Sequence, residues 1–273
     1  MNDFAEKLKS WAPVFLRLGL AAVFLVFGLQ KLSFPSQGTA EIQQIFTSVA
    51  GEQLLSLGAA SAMNYYMGLF ELMLGISLAA GWAIRWAAPL SGLMVLGIFA
   101  SITLKYGFNT EDETLLLDAG LIGAALALWV LTYNKQQTTD NLQQTTENKF
   151  AAWAPMMIRV GLALSLLLSG YQKVAGDGFL IGCVELVFAV FLLGGFLIRF
   201  VAPLFVLLTI WNLFAAIAER GLFVQGILPD PTLTRDIGVI GAALALWALG
   251  AGRFSIDGIM NKESRIMNQI SHS

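Results

Sequence analysis

The chain carries one histidine, His272, and one cysteine, Cys183. A bis-histidine haem needs two imidazoles, an iron–sulfur cluster several thiolates, and a zinc site three or four ligands of these kinds, so no haem, iron–sulfur or zinc site is expected. A lone cysteine also excludes an intramolecular disulfide and a CxxC redox pair. Charge is scarce as well. Only 12% of the residues are Asp, Glu, Lys or Arg, against roughly 25% in soluble domains. With 16 Lys plus Arg facing 18 Asp plus Glu, there is no basic footprint for nucleic acid. Any redox role therefore needs a diffusible or partner-held cofactor.

What the chain has in abundance is apolar sequence: 57% of its 273 residues are hydrophobic and the mean hydropathy is +0.71. The charges are bunched. Between them lie runs of about 18–22 residues, the length an α-helix needs to cross about 30 Å of hydrocarbon. Barrel strands would instead show about ten residues of alternating character. The reading is an all-α integral membrane protein with eight transmembrane helices, near residues 12–33, 62–84, 86–105, 114–133, 153–174, 178–198, 200–219 and 233–251. The first apolar stretch continues through Arg17 to Lys31 without a small-residue cleavage site, so it is kept as a span and not read as a signal peptide.

The chain repeats itself. WAPVFLRLGLAAVFLVFGLQK (residues 11–31) returns as WAPMMIRVGLALSLLLSGYQK (153–173), FELMLGISLAAGWAIRWAAP (70–89) as VELVFAVFLLGGFLIRFVAP (184–203), and DAGLIGAALALW (118–129) as DIGVIGAALALW (236–247). Three blocks in one order indicate a duplication. The expected organisation is a first four-helix unit at 1–133 with an inserted loop at 34–61, a polar Gln/Thr-rich linker at 134–150, a second four-helix unit at 151–257 and a tail at 258–273. Eleven of the sixteen basic residues, among them Arg17, Arg85, Arg159, Arg199 and Arg253, fall on the side of the termini, which puts both termini in the cytoplasm. The two units then run the same way, as two parallel-repeat four-helix bundles. Within the insertion, Glu41 to Gly58 has the pattern of a short amphipathic helix, either docking a partner or packing locally.

These blocks resemble the DoxX family of four-helix membrane proteins. The likeness rests on the Arg–Gly opening and Gly-x-Gln-Lys ending of the first helix, the glutamate of the second, the Gly…Arg…Ala-Pro turn after it, and GAGRFSID (residues 250–257) after the last. The first half has LTYNKQ (131–136) in place of that ending. The resemblance implies a bacterial or archaeal cytoplasmic membrane protein. It also implies a possible membrane subunit of a quinone-linked oxidoreductase acting on a sulfur compound or thiol, with a redox-protein partner. A non-catalytic scaffold or assembly factor is the alternative, and a small-solute transporter a weaker third.

Ionisable groups within a membrane are costly and need partners. Glu71 and Glu185 lie about eight residues from one end of their helices, roughly 12 Å deep at 1.5 Å per residue. Lys31 and Lys173 finish the preceding helices at that same end, where Lys31 can reach Glu71 or Asp118 and Lys173 can reach Glu185 or Asp236. Gln30 and Gln172 stand beside the lysines, able to donate and accept. Two readings are open: a pocket in which these groups bind a quinone carbonyl and relay its proton, or a buried ion-pair network that fixes helix register. Gly120, Gly123, Gly238 and Gly241 are read as close helix contacts, Arg17 and Arg159 as anchors to the cytoplasmic side, and Cys183 as a packing residue.

Overall fold

The computed structural model describes residues 2–50, 56–106, 113–140, 151–176, 178–221, 223–224, 228–229 and 231–260. Nine α-helices are found among them: α1 (Asn2–Ser33), α2 (Pro35–Ala50), α3 (Leu57–Ala80), α4 (Ile84–Tyr106), α5 (Glu113–Asp140), α6 (Ala154–Ala175), α7 (Phe179–Gly194), α8 (Ile198–Arg220) and α9 (Pro231–Leu249). A two-residue antiparallel pair, Phe223–Val224 against Leu228–Pro229, joins α8 to α9. Every segment expected to span is helical. Glu6–Ser33, Ile84–Leu104, Ala151–Ala175 and Ile198–Glu219 are long and apolar enough to cross a membrane, while Leu117–Tyr133 and Phe179–Gly194 are apolar but shorter. Outward faces rich in Leu, Phe and Trp, as at Phe200, Leu207, Trp211 and Phe214 of α8, suit a lipid bilayer.

Two expectations change. The linker does not begin at residue 134, because α5 stays helical to Asp140; 141–150 lie outside the described residues, as do 261–273 of the expected tail. The inserted helix starts at Pro35, six residues early, and packs on α3 and α4 with Thr39 and Ile42 buried. That favours local packing for its described part.

The packing is interlocked. α1 makes its largest contacts with α3 and α9, not with α5, and α6 makes its largest with α7 and α5, not with α9. Each half therefore lends its last helix to the first helix of the other, which replaces the expected pair of self-contained bundles by one eight-helix body with α2 at its side. Glycine permits these close crossings. A Cβ on Gly123 of α5 would lie 2.5 Å from the Met157 carbonyl oxygen of α6, and one on Gly241 of α9 would lie 2.7 Å from that of Phe15 of α1. Without side chains there, the helix backbones touch, and dispersion between close surfaces is what holds apolar helices together in lipid. The core is accordingly small-residue-rich, with Ala124, Ala125, Ala127, Ala242, Ala243 and Ala245 fully buried.

The end bearing Arg17, Arg85, Arg159 and Arg199 is built around two left-handed turns. α3 stops at Gly81 (φ 75°) and α7 at Gly195 (φ 67°), and in each the glycine N–H returns to the last turn of its helix. A Cβ at either glycine would overlap the guanidinium of Arg17 or Arg159. Arg159 is buried, and its Nη2 donates to the Phe254 carbonyl at 2.7 Å. Asp257 accepts from the Leu197 and Ile198 amides at 3.1 and 3.2 Å, which satisfies the free N–H groups opening α8. The GAGRFSID segment is thus a cap on the α7–α8 turn.

Candidate functional site

At the opposite end, where α1 and α6 finish, the structure forms two ion pairs. Lys31 sits in the last turn of α1 and Glu71 two-thirds of the way up the neighbouring α3, so their side chains converge as the helices cross. The ammonium donates to both carboxylate oxygens of Glu71, at 2.7 and 2.8 Å. Close approach depends on Gly28 and Gly68, since a Cβ on Gly28 would lie 2.8 Å from the Gly68 carbonyl oxygen. The α6–α7 crossing repeats this with Gly170 and Gly182. There Lys173 donates to Glu185 at 2.5 Å, and Ser169 Oγ donates to the second oxygen of the same carboxylate at 2.7 Å. Glu71 and Glu185 are both buried, and the lysines keep part of their surface exposed. Each lysine thus meets the glutamate of the next spanning helix.

Asp118 takes a different role. It lies buried on α5 and receives Arg235 Nε of α9 at 3.3 Å, an ion pair between the halves made by two helices of opposite units. The Arg235 guanidinium carbon lies 4.9 Å from the centre of the Phe27 ring, and the residue lines the same small space as Glu71. Asn64, also buried, donates to the Lys31 and Pro35 carbonyls at 3.2 and 3.4 Å, tying the end of α1 to the start of α2.

A cavity of about 240 Å³ opens beside the second pair. Lys173, Glu185 and Asp236 line it, together with Ser169, Thr209 and Asn212. Apolar walls come from Leu166, Phe205 and Leu208. Among the described residues Gln172 and Gln30 are not part of its lining; both are half-buried. The corresponding space beside Glu71 measures about 10 Å³, bounded by Phe27, Ile98, Asp118 and Arg235 among others. Ser169, Thr209 and Asn212 escape a reading of the sequence because isolated small polar residues are common in membrane helices. The signal that finds them is their register: they stand where the first half has Phe27, Val95 and Ile98. Cys183 is half-buried and free, and no group of three or more metal-ligating side chains occurs among the described residues.

The paired carboxylates and ammoniums can exchange protons with a bound polar group, and of these two spaces the one beside Glu185 has room for such a group. No curated protein and no solved structure matches the chain. Residues 12–104, which hold Lys31, Glu71 and the helices that join them, match the DoxX family model.

Proposed function

We propose that the chain is an eight-span protein of the bacterial or archaeal cytoplasmic membrane with both termini inside, made of two DoxX-like units in parallel, and that its second half is the quinone-binding part of a membrane oxidoreductase subunit. The observation that carries this reading is the cavity of about 240 Å³ beside Lys173 and Glu185. An apolar cavity of about 150 Å³ takes up benzene, so this volume fits a substituted ring. Its mixed lining suits a ring with polar edges. Lys173 and Asn212 have donors for a carbonyl oxygen, Glu185 can hold and pass a proton with Ser169 beside it, and Leu166, Phe205 and Leu208 cover an apolar face. When bound, a quinone accepts two electrons and two protons; the electrons come from a redox-protein partner that oxidises a sulfur compound or thiol.

Titrating the purified protein in mild detergent with a short-chain quinone tests this. Glu185→Gln, which keeps the side chain's shape, is expected to weaken binding at least tenfold, about 1.4 kcal/mol. Equal affinity in a folded Glu185→Gln variant overturns the assignment. A scaffold reading has one observation in its favour: the Lys31–Glu71 pair is packed without room for a ligand, so such a pair serves architecture on its own. Loss of a co-purifying protein on removal of α2, with no quinone binding in the parent, is the outcome that would select it.

A further inference from the structure

The two sites are built from matching positions, yet one is open and the other filled. Lysine and glutamate are shared. Around them, Phe27 takes the place of Ser169, Arg235 that of Leu117, Ile98 that of Asn212 and Val95 that of Thr209. Because α9 packs on α1 and α5 on α6, Arg235 projects into the first-half site while Leu117 lines the second. Arg235 is only 5% exposed, with its guanidinium carbon 4.9 Å from the centre of the Phe27 ring and its Nε on Asp118. The remaining space of about 10 Å³ is at the limit for a single water. The guanidinium and the phenyl ring are two planar groups that fill the first-half space, and the second half has a void at the matching positions.

We propose that Phe27 and Arg235 are a built-in occupant that closes the first-half site, so that each chain takes one small flat ligand, in the second half only, with Ser169 and Leu117 as the residues that keep that site open. This rests on the reading of the second cavity as a ligand site and adds its stoichiometry and the residues that set it. Cavity access can be measured without any ligand. In the full chain carrying Cys183→Leu, with leucine as at the matching position 69, a single cysteine is placed by Asn212→Cys or by Ile98→Cys and its modification by a small charged methanethiosulfonate is timed.

The thiol at 212 is expected to react at least tenfold faster than that at 98. Adding Phe27→Ser and Arg235→Leu should bring position 98 to within a few-fold of 212; adding Ser169→Phe and Leu117→Arg should slow position 212 by a similar factor. Equal rates in the parent, or exchanges that move neither rate, overturn the proposal. If loss of Arg235 prevents folding, Phe27→Ser and Ser169→Phe alone are expected to shift the same rates in the same directions, and no shift in either refutes it. Thiol rates as expected without quinone binding would sink the quinone reading and leave the closed site standing. Two quinones bound per parent chain would do the reverse.

Discussion

A buried charge is tolerable only while its partner is in place, and Lys31, Lys173 and Arg235, at the end where α1 and α6 finish, each have a carboxylate beside them. Removing one member of a buried pair costs about 3–5 kcal/mol, because the other is left desolvated and unpaired. Asp118→Ala strands Arg235 in this way, and a large loss of thermal stability in detergent is expected, whereas the exposed Glu6–Lys9 pair should be removable with a change below about 1 kcal/mol. Gly195 is a second sensitive position. An alanine there pays roughly 1–2 kcal/mol for the left-handed conformation and also drives its methyl into Arg159. Gly195→Ala should therefore lower the melting temperature more than Gly97→Ala, where nothing lies within 4 Å of the added Cβ and the helix gains up to about 1 kcal/mol.

Between elements, the deciding contacts are glycine against backbone. Gly123→Ala would put a methyl 2.5 Å from the Met157 carbonyl, so α5 and α6 must separate. Overpacking of this kind costs about 1–3 kcal/mol, read out as a lower melting temperature and loss of monodisperse protein on gel filtration. The sequence already marked Gly123 and Gly241 as contact residues through their recurrence. It could not say which helix they meet. A first helix with the same Trp-Ala-Pro…Arg…Gly pattern occurs twice, and either copy offers α5 an equivalent surface, so the pattern alone leaves own-half and cross-half pairing equally open. The same degeneracy hid Arg235: it read as one of several basic residues near a helix end, and only the α1–α9 packing puts it beside Glu71 and Asp118. By contrast, Glu71 and Glu185 were each one of two partners legible for Lys31 and Lys173, since a lysine stem at the end of one helix reaches a glutamate on the next whatever the wider arrangement.

For the whole molecule, interlocking means that neither half has a complete set of neighbours. Residues 1–140 alone would expose the faces of α1 and α5 that α9 and α6 cover. Expressed separately, 1–140 and 151–273 are expected to be degraded or to aggregate; expressed together, they should co-purify as one complex in mild detergent. Two stable, independent halves would show that each closes on itself. The exchange also separates the two sites in character. Each is assembled from both halves, so a single change in α5 or α9 alters the site facing the opposite first helix.

The placement of α9 against α1 has a temporal meaning. The ribosome finishes α1 at Ser33 and α9 at Leu249, and at about 5–20 residues per second the first helix waits roughly 10–40 s for its partner. During that interval the bare strip along Gly19, which later lies against Gly238 and Gly241, is open to other small-residue helices in the bilayer. A strip of this kind selects by closeness of approach, so α1 must be held beside α3 until the last helix arrives, and the Lys31–Glu71 pair and the Gly28–Gly68 crossing are contacts available to do so.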